Sequence, residues 1–164
     1  MSDSLPALIE GHLTGLEGSR FAIVSSRFNE LVVDRLVDGA LGAFERHGID
    51  KSSVVHVRVP GAFELSPVCL RLSKSGRFDA IVALGAVIRG ATSHFDFVAG
   101  EAARGVAAAG AASGLPVIFG VLTTDTLDQA FERAGSKAGN KGYEAAVTAL
   151  EMVSLGRKLQ SHGL

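Results

Sequence analysis

Short apolar segments alternate with amphipathic stretches along this chain, and the alternation leaves few folds open. The apolar segments cover residues 21–24, 54–59, 80–84 and 117–122. After the first of them, apolar side chains recur at Val33, Leu36 and Val37, the spacing of a helix with one buried face. Buried strands that alternate with helices predict a four-stranded parallel sheet, with helices on both faces and right-handed crossovers.

The loops that follow the four strands are predicted to lie together, because parallel sheets bind ligands at the carboxyl ends of their strands. The residues assigned to that end of the sheet are 28–29, 61–64, 85–94 and 119–125, the last set beginning within the fourth strand. They carry aromatic, carboxylate, hydroxyl and imidazole groups, but neither a cluster of metal ligands nor a good covalent nucleophile. This set suits a planar heterocycle held beside a phosphorylated small molecule, with protons moved between them.

Residues 85–98 hold the most suggestive of these loops. A strand runs into a segment rich in glycine, threonine and serine, and His94 stands where a helix begins. Unpaired backbone N–H groups and the helix dipole can bind an anion at such a point, and a histidine there can move protons near neutral pH. The alternative is structural: Thr92 or Ser93 caps the helix and His94 has no role.

Two other loop residues also have two interpretations. Phe28 is either a plug for the core or a flat face for a planar ligand. Glu64 either interacts favourably with the dipole of the helix that begins there or faces a ligand at the carboxyl ends of the strands. The segment around Lys141 resembles a phosphate loop only superficially, because Asn140 and Gly142 occupy the places where a Walker motif needs glycine and a hydroxyl residue.

The composition limits the class of protein. The chain has 164 residues, 16 basic and 17 acidic side chains, and a net charge of -1, so neither nucleic acid nor a membrane is expected as a partner. The single cysteine, Cys69, and the lack of a signal-like N-terminus favour the cytoplasm. We predict an N-terminal arm over residues 1–18 with at most one edge strand, one α/β domain over 19–158 and a polar C-terminal tail over 159–164.

Several motifs together resemble one enzyme family. They are residues 28–29 (FN), 60–65 (PGAFEL), 85–90 (GAVIRG) with Thr92 and His94, 119–124 (FGVLTT), 132–135 (ERAG) and 139–142 (GNKG). In order and in spacing, from about Leu13 to about Leu155, the chain resembles the 6,7-dimethyl-8-ribityllumazine synthases.

The resemblance implies a fold and a reaction. The fold is a three-layer α/β/α sandwich with a flavodoxin-like parallel sheet and an N-terminal arm strand. The reaction condenses 5-amino-6-(D-ribitylamino)uracil with 3,4-dihydroxy-2-butanone 4-phosphate and releases phosphate and water. No metal or organic cofactor is expected. The alternatives are a phosphate- or flavin-binding flavodoxin-like module without catalysis and a shell protein that has lost activity.

The resemblance also assigns roles to residues of this chain. His94 is expected to transfer protons, with Lys141 as an electrostatic helper. The expected substrate-binding residues are Phe28, which stacks on the pyrimidine, and Asn29; Ala62, Phe63, Glu64, Ala86, Val87 and Ile88 around the pyrimidine and ribityl chain; Phe119, which closes the pocket; and Gly90, Ala91, Thr92 and Arg133 around the phosphate. Phe119, Arg133 and Lys141 are expected to come from the adjacent subunit.

Assembly is therefore part of the prediction. Members of the family form pentamers, and some build icosahedral shells from them. The short joint at residues 139–142 resembles the shell-forming members, so we predict a shell. Riboflavin synthase is a further partner that the resemblance suggests.

Overall fold

A computed structural model describes residues 6–164. The strands are β1 (Phe21–Ser26), β2 (Val54–Val59), β3 (Ala80–Ile88) and β4 (Val117–Thr124), and the helices are α1 (Glu30–Arg46), α2 (Leu65–Ser73), α3 (His94–Ser113), α4 (Leu127–Glu132) and α5 (Lys141–Ser161). Short 3₁₀ turns at Lys51–Ser53 and Ala62–Glu64 follow α1 and β2. The predicted four-stranded α/β fold is confirmed.

All neighbouring strands are parallel, in the order β2-β1-β3-β4. Apolar side chains on one face of the sheet pack against α1 and α5, and those on the other face pack against α2 and α3. The chain moves outward from β1 to β2 and then returns to build β3 on the other side of β1. The strand order thus reverses between β1 and β3, which is where open α/β sheets bind ligands.

Strand β3 is longer than predicted. The sequence indicated a loop from Gly85 onward, but the strand continues to Ile88 and pairs with β4 as far as Thr124. Gly85 has a packing role instead of a turn role, because a Cβ atom there would stand 3.0 Å from the Ser26 Oγ. Residues 86–88 therefore lie on a strand of the sheet and not in a loop.

The predicted arm begins at residue 1, and its residues 1–5 lie outside the described part of the chain. Residues 6–18 form no strand; they lie along α5, because that helix offers partners for their backbone. The His12 N–H donates to the Ser154 Oγ at 3.0 Å, and the Lys158 Nζ donates to the Glu10 carbonyl at 2.7 Å. The sequence leaves two arrangements open for the arm, folding back on its own domain or pairing with the sheet edge of a neighbour, and the contacts with α5 are of the first kind.

Candidate active site

A cavity of about 680 Å³ opens at the point where the strand order reverses. Three loops from one chain surround it, those that follow β1, β2 and β3. We call it the switch-point pocket; its lining residues are Phe28, Asn29, Pro60, Gly61, Ala62, Phe63, Glu64, Ala86, Val87, Ile88, Gly90, Thr92, His94, Phe95, Phe97 and Val98. Eleven of the predicted site residues are in this set, so most of the predicted site comes together within one chain.

The loop after β1 is fixed on both sides. The Arg27 N–H donates to the Val59 carbonyl at 2.7 Å, and the Phe28 N–H donates to the Pro60 carbonyl at 3.0 Å, which ties the loop to the end of β2. On the other side the Asn29 Nδ2 donates to the Ala86 carbonyl at 2.9 Å. These bonds hold the Phe28 ring at the pocket with 72% of the residue exposed, so the ring is not a plug for the core.

Asn29 has a left-handed backbone, with φ 61° and ψ 41°. Among residues 6–164 it is the only residue other than glycine with positive φ. Asparagine tolerates this conformation better than most residues, and such strain concentrates at functional sites. Its side chain does not cap α1, although Asn29 precedes that helix, because the amide contacts β3 instead.

The loop after β2 brings a carboxylate to the pocket. Gly61 leads into the turn Ala62–Glu64, and the Glu64 side chain folds back over it, since a Cβ on Gly61 would stand 3.0 Å from the Glu64 Oε2. Within residues 6–164 the Glu64 carboxylate has no basic partner within salt-bridge distance. It is therefore free to accept hydrogen bonds from a ligand.

The loop after β3, residues 90–93, presents unpaired donors. In the described chain the backbone N–H groups of Gly90, Ala91 and Thr92 have no hydrogen-bond acceptor. They stand before the N-terminus of the long helix α3, where both the free N–H groups and the dipole favour an anion. Ala91 itself is exposed but does not line the pocket.

His94 is the first residue of α3 and lines the pocket. Its backbone N–H donates to the Thr92 Oγ1 at 3.4 Å, whereas the Ser93 side chain makes no capping bond. Of the two predicted helix caps, only Thr92 is therefore seen, and its hydrogen bond is long. Within residues 6–164 the imidazole makes no hydrogen bond. It remains available to a bound molecule.

The aromatic wall of the pocket is larger than the sequence indicated. Phe95 and Phe97 line it besides the predicted Phe28 and Phe63, with the aliphatic Val98 next to them, and Phe97 is 71% exposed. The available signal was helical spacing, because residues three and four positions after His94 share its side of α3. Exposed aromatic side chains around one cavity mark a surface that a ligand or another chain covers.

The three remaining predicted residues lie elsewhere. Arg133 and Lys141 line a separate cavity of about 270 Å³, together with Val121, Leu122, Thr123, Ala138 and Glu144, and we call this set the β4-edge cluster. The Lys141 Nζ is 3.4 Å from the Glu144 Oε2, and the Lys141 N–H donates to the Arg133 carbonyl at 2.8 Å. Phe119 is on β4, 36% exposed, and lines neither cavity.

Other kinds of site find no support in the part of the chain that the structure describes. No helix in residues 6–164 combines the length and apolar character that a membrane crossing needs, and no three His, Cys, Asp or Glu side chains are close enough to hold a metal ion. Burial raises the pKa of the Cys69 thiol to about 12, so this side chain serves as apolar filler on the buried face of α2.

Comparison with known proteins supports the resemblance. The family model for 6,7-dimethyl-8-ribityllumazine synthase matches residues 18–157. A protein of that name from Halorhodospira halophila is 55% identical over 152 residues, covering 93% of this chain and 97% of the relative. One from Nitratidesulfovibrio vulgaris is 56% identical over 151 residues, covering 92% and 96%. On this likeness along almost its whole length, the chain belongs to the 6,7-dimethyl-8-ribityllumazine synthase family.

Proposed function

We propose that the switch-point pocket is one half of the active site of this member of the lumazine synthase family. The chain is a transferase of riboflavin biosynthesis. It condenses 5-amino-6-(D-ribitylamino)uracil with 3,4-dihydroxy-2-butanone 4-phosphate and gives 6,7-dimethyl-8-ribityllumazine, phosphate and water. The observation that carries the site assignment is the joint presence, around one cavity, of an exposed aromatic face, a free carboxylate, free backbone donors and an unpaired imidazole.

The pyrimidine binds between the loops after β1 and β2. Phe28 stacks on the ring, and Glu64 accepts hydrogen bonds from its N–H groups. Asn29, Ala62 and Phe63, with the backbone of residues 86–88, hold the rest of the pyrimidine and the ribityl chain. Because residues 86–88 lie on β3 and not on a loop, this part of the pocket is rigid.

The phosphate binds at the 90–93 loop. The free N–H groups of Gly90, Ala91 and Thr92 and the N-terminus of α3 favour it there. His94 stands beside this loop, where it can take and return the protons that imine formation and phosphate elimination require. Holding both substrates at neighbouring places also contributes to the rate by orienting them.

The pocket lacks a cation, and this supports a shared active site. None of its lining residues is lysine or arginine, although a phosphate dianion is bound most tightly where a positively charged side chain contacts it. The β4-edge cluster has two such groups, Arg133 and Lys141, but no aromatic face. Each region has what the other lacks. We therefore place Arg133, Lys141 and Phe119 of an adjacent subunit against the pocket, with Phe119 closing it.

A shared site requires an oligomer, for which we propose pentamers assembled into an icosahedral shell. The short joint at residues 139–142 and the exposed aromatic wall support this assembly. The division into arm, domain and tail, the cytoplasmic location and an association with riboflavin synthase belong to the same proposal.

The activity is tested by mixing the protein with both substrates and following lumazine absorbance and phosphate release. We expect both signals to rise together and to depend on both substrates. A binding module without catalysis, or an inactive shell protein, would leave the absorbance unchanged. Light scattering on the same sample tests the assembly, and a plain pentamer would contradict the shell.

A further inference from the structure

We propose that Arg89 is a positioning residue, which keeps the 90–93 loop in its phosphate-binding shape and links that loop to the turn after β4. The inference rests on the proposed function, because it assumes that the loop binds the phosphate of the substrate. Arg89 lies between Ile88 and Gly90, both of which line the switch-point pocket, but Arg89 itself does not line it. Any effect of its side chain on the substrate therefore passes through other residues.

The guanidinium of Arg89 has three partners. Its Nε donates to the Asp125 Oδ1 at 3.0 Å, its Nη1 donates to the Asp96 Oδ1 at 3.3 Å, and its Cζ lies 4.1 Å from the centre of the Phe95 ring. The hydrogen bond to Asp125 raises the pKa of the guanidinium, with Asp96 acting in the same direction. A planar group with several fixed donors can satisfy all three partners at once.

Two of these partners hold the far end of the loop. Asp96 is in the first turn of α3, directly after Phe95, and its own N–H donates to the Ser93 carbonyl at 3.1 Å. At the near end, the Arg89 N–H donates to the Thr124 carbonyl at 2.9 Å. The Arg89 side chain thus bridges the two ends of residues 90–93, whose own N–H groups are left for the anion.

The third partner extends the link to the other region of the molecule. Asp125 follows β4, and its N–H donates to the Gln129 Oε1 at 2.9 Å. Thr126 then caps α4, which ends directly before Arg133. The Arg89–Asp125 pair consequently joins the loop that binds phosphate in one active site to the short helix that positions Arg133, which in the proposed assembly serves the next site.

The expected effect on phosphate binding is modest, because the side chains of Arg89, Asp96 and Asp125 are all partly exposed to solvent. Single exposed ion pairs contribute little, and a network on one guanidinium contributes more. We expect Arg89→Met to weaken phosphate binding about fivefold. Arg89→Lys should lose most of the same affinity, since a single ammonium cannot reproduce the fork that contacts two carboxylates.

The test compares Arg89→Met, Arg89→Lys, Asp125→Ala and the double variant Arg89→Met/Asp125→Ala with the unaltered protein. Inorganic phosphate is the probe, and calorimetry gives its dissociation constant without turnover. We expect weaker phosphate binding, a higher KM for the phosphorylated substrate, and a pyrimidine KM within about twofold. The double variant should bind phosphate no more weakly than the worse single variant, because both substitutions break the same Arg89–Asp125 link.

Arg104→Met is the matched control, since it removes another exposed arginine–carboxylate pair, with Glu101, from α3, the helix that also carries Asp96. It should leave phosphate affinity unchanged. Equal phosphate affinity in all variants, or an equal loss for the pyrimidine, would overturn the role of Arg89. Unaltered protein that binds phosphate but makes no lumazine would refute the proposed function instead, while the phosphate comparison would still decide the role of Arg89.

Discussion

The switch-point pocket and the β4-edge cluster are built in different ways, and the difference explains why one chain does not make a complete site. Three loops of the same chain enclose the pocket, and hydrogen bonds from Arg27, Phe28 and Asn29 tie these loops together. The cluster stands on β4, an edge strand of the sheet, and on residues between the end of α4 and the start of α5, and no residue lines both cavities. The pocket offers shape and neutral donors, whereas the cluster offers positive charge.

Hydrogen bonds nevertheless hold the β4-edge cluster in place. Asn140 caps α5 by accepting the Tyr143 N–H at 3.1 Å, and its Nδ2 donates to the Arg35 carbonyl at 2.9 Å and the Ala134 carbonyl at 3.2 Å. One asparagine therefore fixes the joint that carries Lys141 to both α1 and the end of α4. Charges held this firmly at an exposed edge are suited to a partner outside the chain.

The largest effect is expected in the pocket. His94→Ala should lower kcat about a hundredfold, because a positioned general acid–base is lost, without abolishing a reaction that also depends on orientation. Steady-state lumazine formation measures it, with His162→Ala as an exposed-histidine control. A loss of only a few-fold would remove His94 from proton transfer.

The next effect belongs to the cluster. Arg133→Ala should raise the KM for the phosphorylated substrate about tenfold, the amount expected for one hydrogen bond to a charged group, and leave pyrimidine affinity nearly unchanged. Lys137 is an exposed basic residue close to Arg133 in the chain, and it does not line the cavity. Lys137→Ala should therefore leave this KM unchanged. Equal losses for both substrates would indicate a folding defect.

Asn29 tests whether the pocket depends on its internal bonds. Asn29→Ala should lower the free energy of unfolding by about 1–2 kcal/mol, since the bond to the Ala86 carbonyl is lost and alanine disfavours positive φ. Asn29→Gly loses the same bond but accepts the backbone, so it should be the more stable variant. Thermal unfolding of the two variants measures the difference. Equal stability of the two would show that alanine adopts the left-handed backbone without strain.

The smallest effect concerns pH. The Ser25 Oγ is 2.7 Å from the His56 Nε2 on the edge strand β2, and the pKa of His56 is lowered, mainly by partial burial and also by Arg58, against an opposing effect of Asp34. The unfolded chain therefore binds more protons, so stability is complete above about pH 6.5 and falls as the pH drops through that value. Melting curves from pH 7.5 to 5.5 should show a decline of a few degrees at most that His56→Gln reduces. An identical decline in the variant would assign it to other groups.

Sequence reasoning predicted the strands and the edge of the sheet that holds the pocket, because apolar periodicity and strand order are properties of the chain itself. It misplaced the end of β3, since Gly85 signals a turn in sequence but in the structure makes room for Ser26. It also missed the partners of Arg89, which lie 7 and 36 residues away along the chain. Contacts of this kind depend on how loops settle in three dimensions.

The central claim, an active site shared between subunits, is tested most directly by combining two impaired variants in one oligomer. His94→Ala and Arg133→Ala chains are co-expressed in equal amounts, and lumazine formation is measured at limiting phosphorylated substrate, where each variant alone is poor. If the site is shared, about a quarter of the sites combine an intact His94 with an intact Arg133, and about a quarter of the unaltered activity returns. Activity no higher than the average of the two variants would contradict the claim.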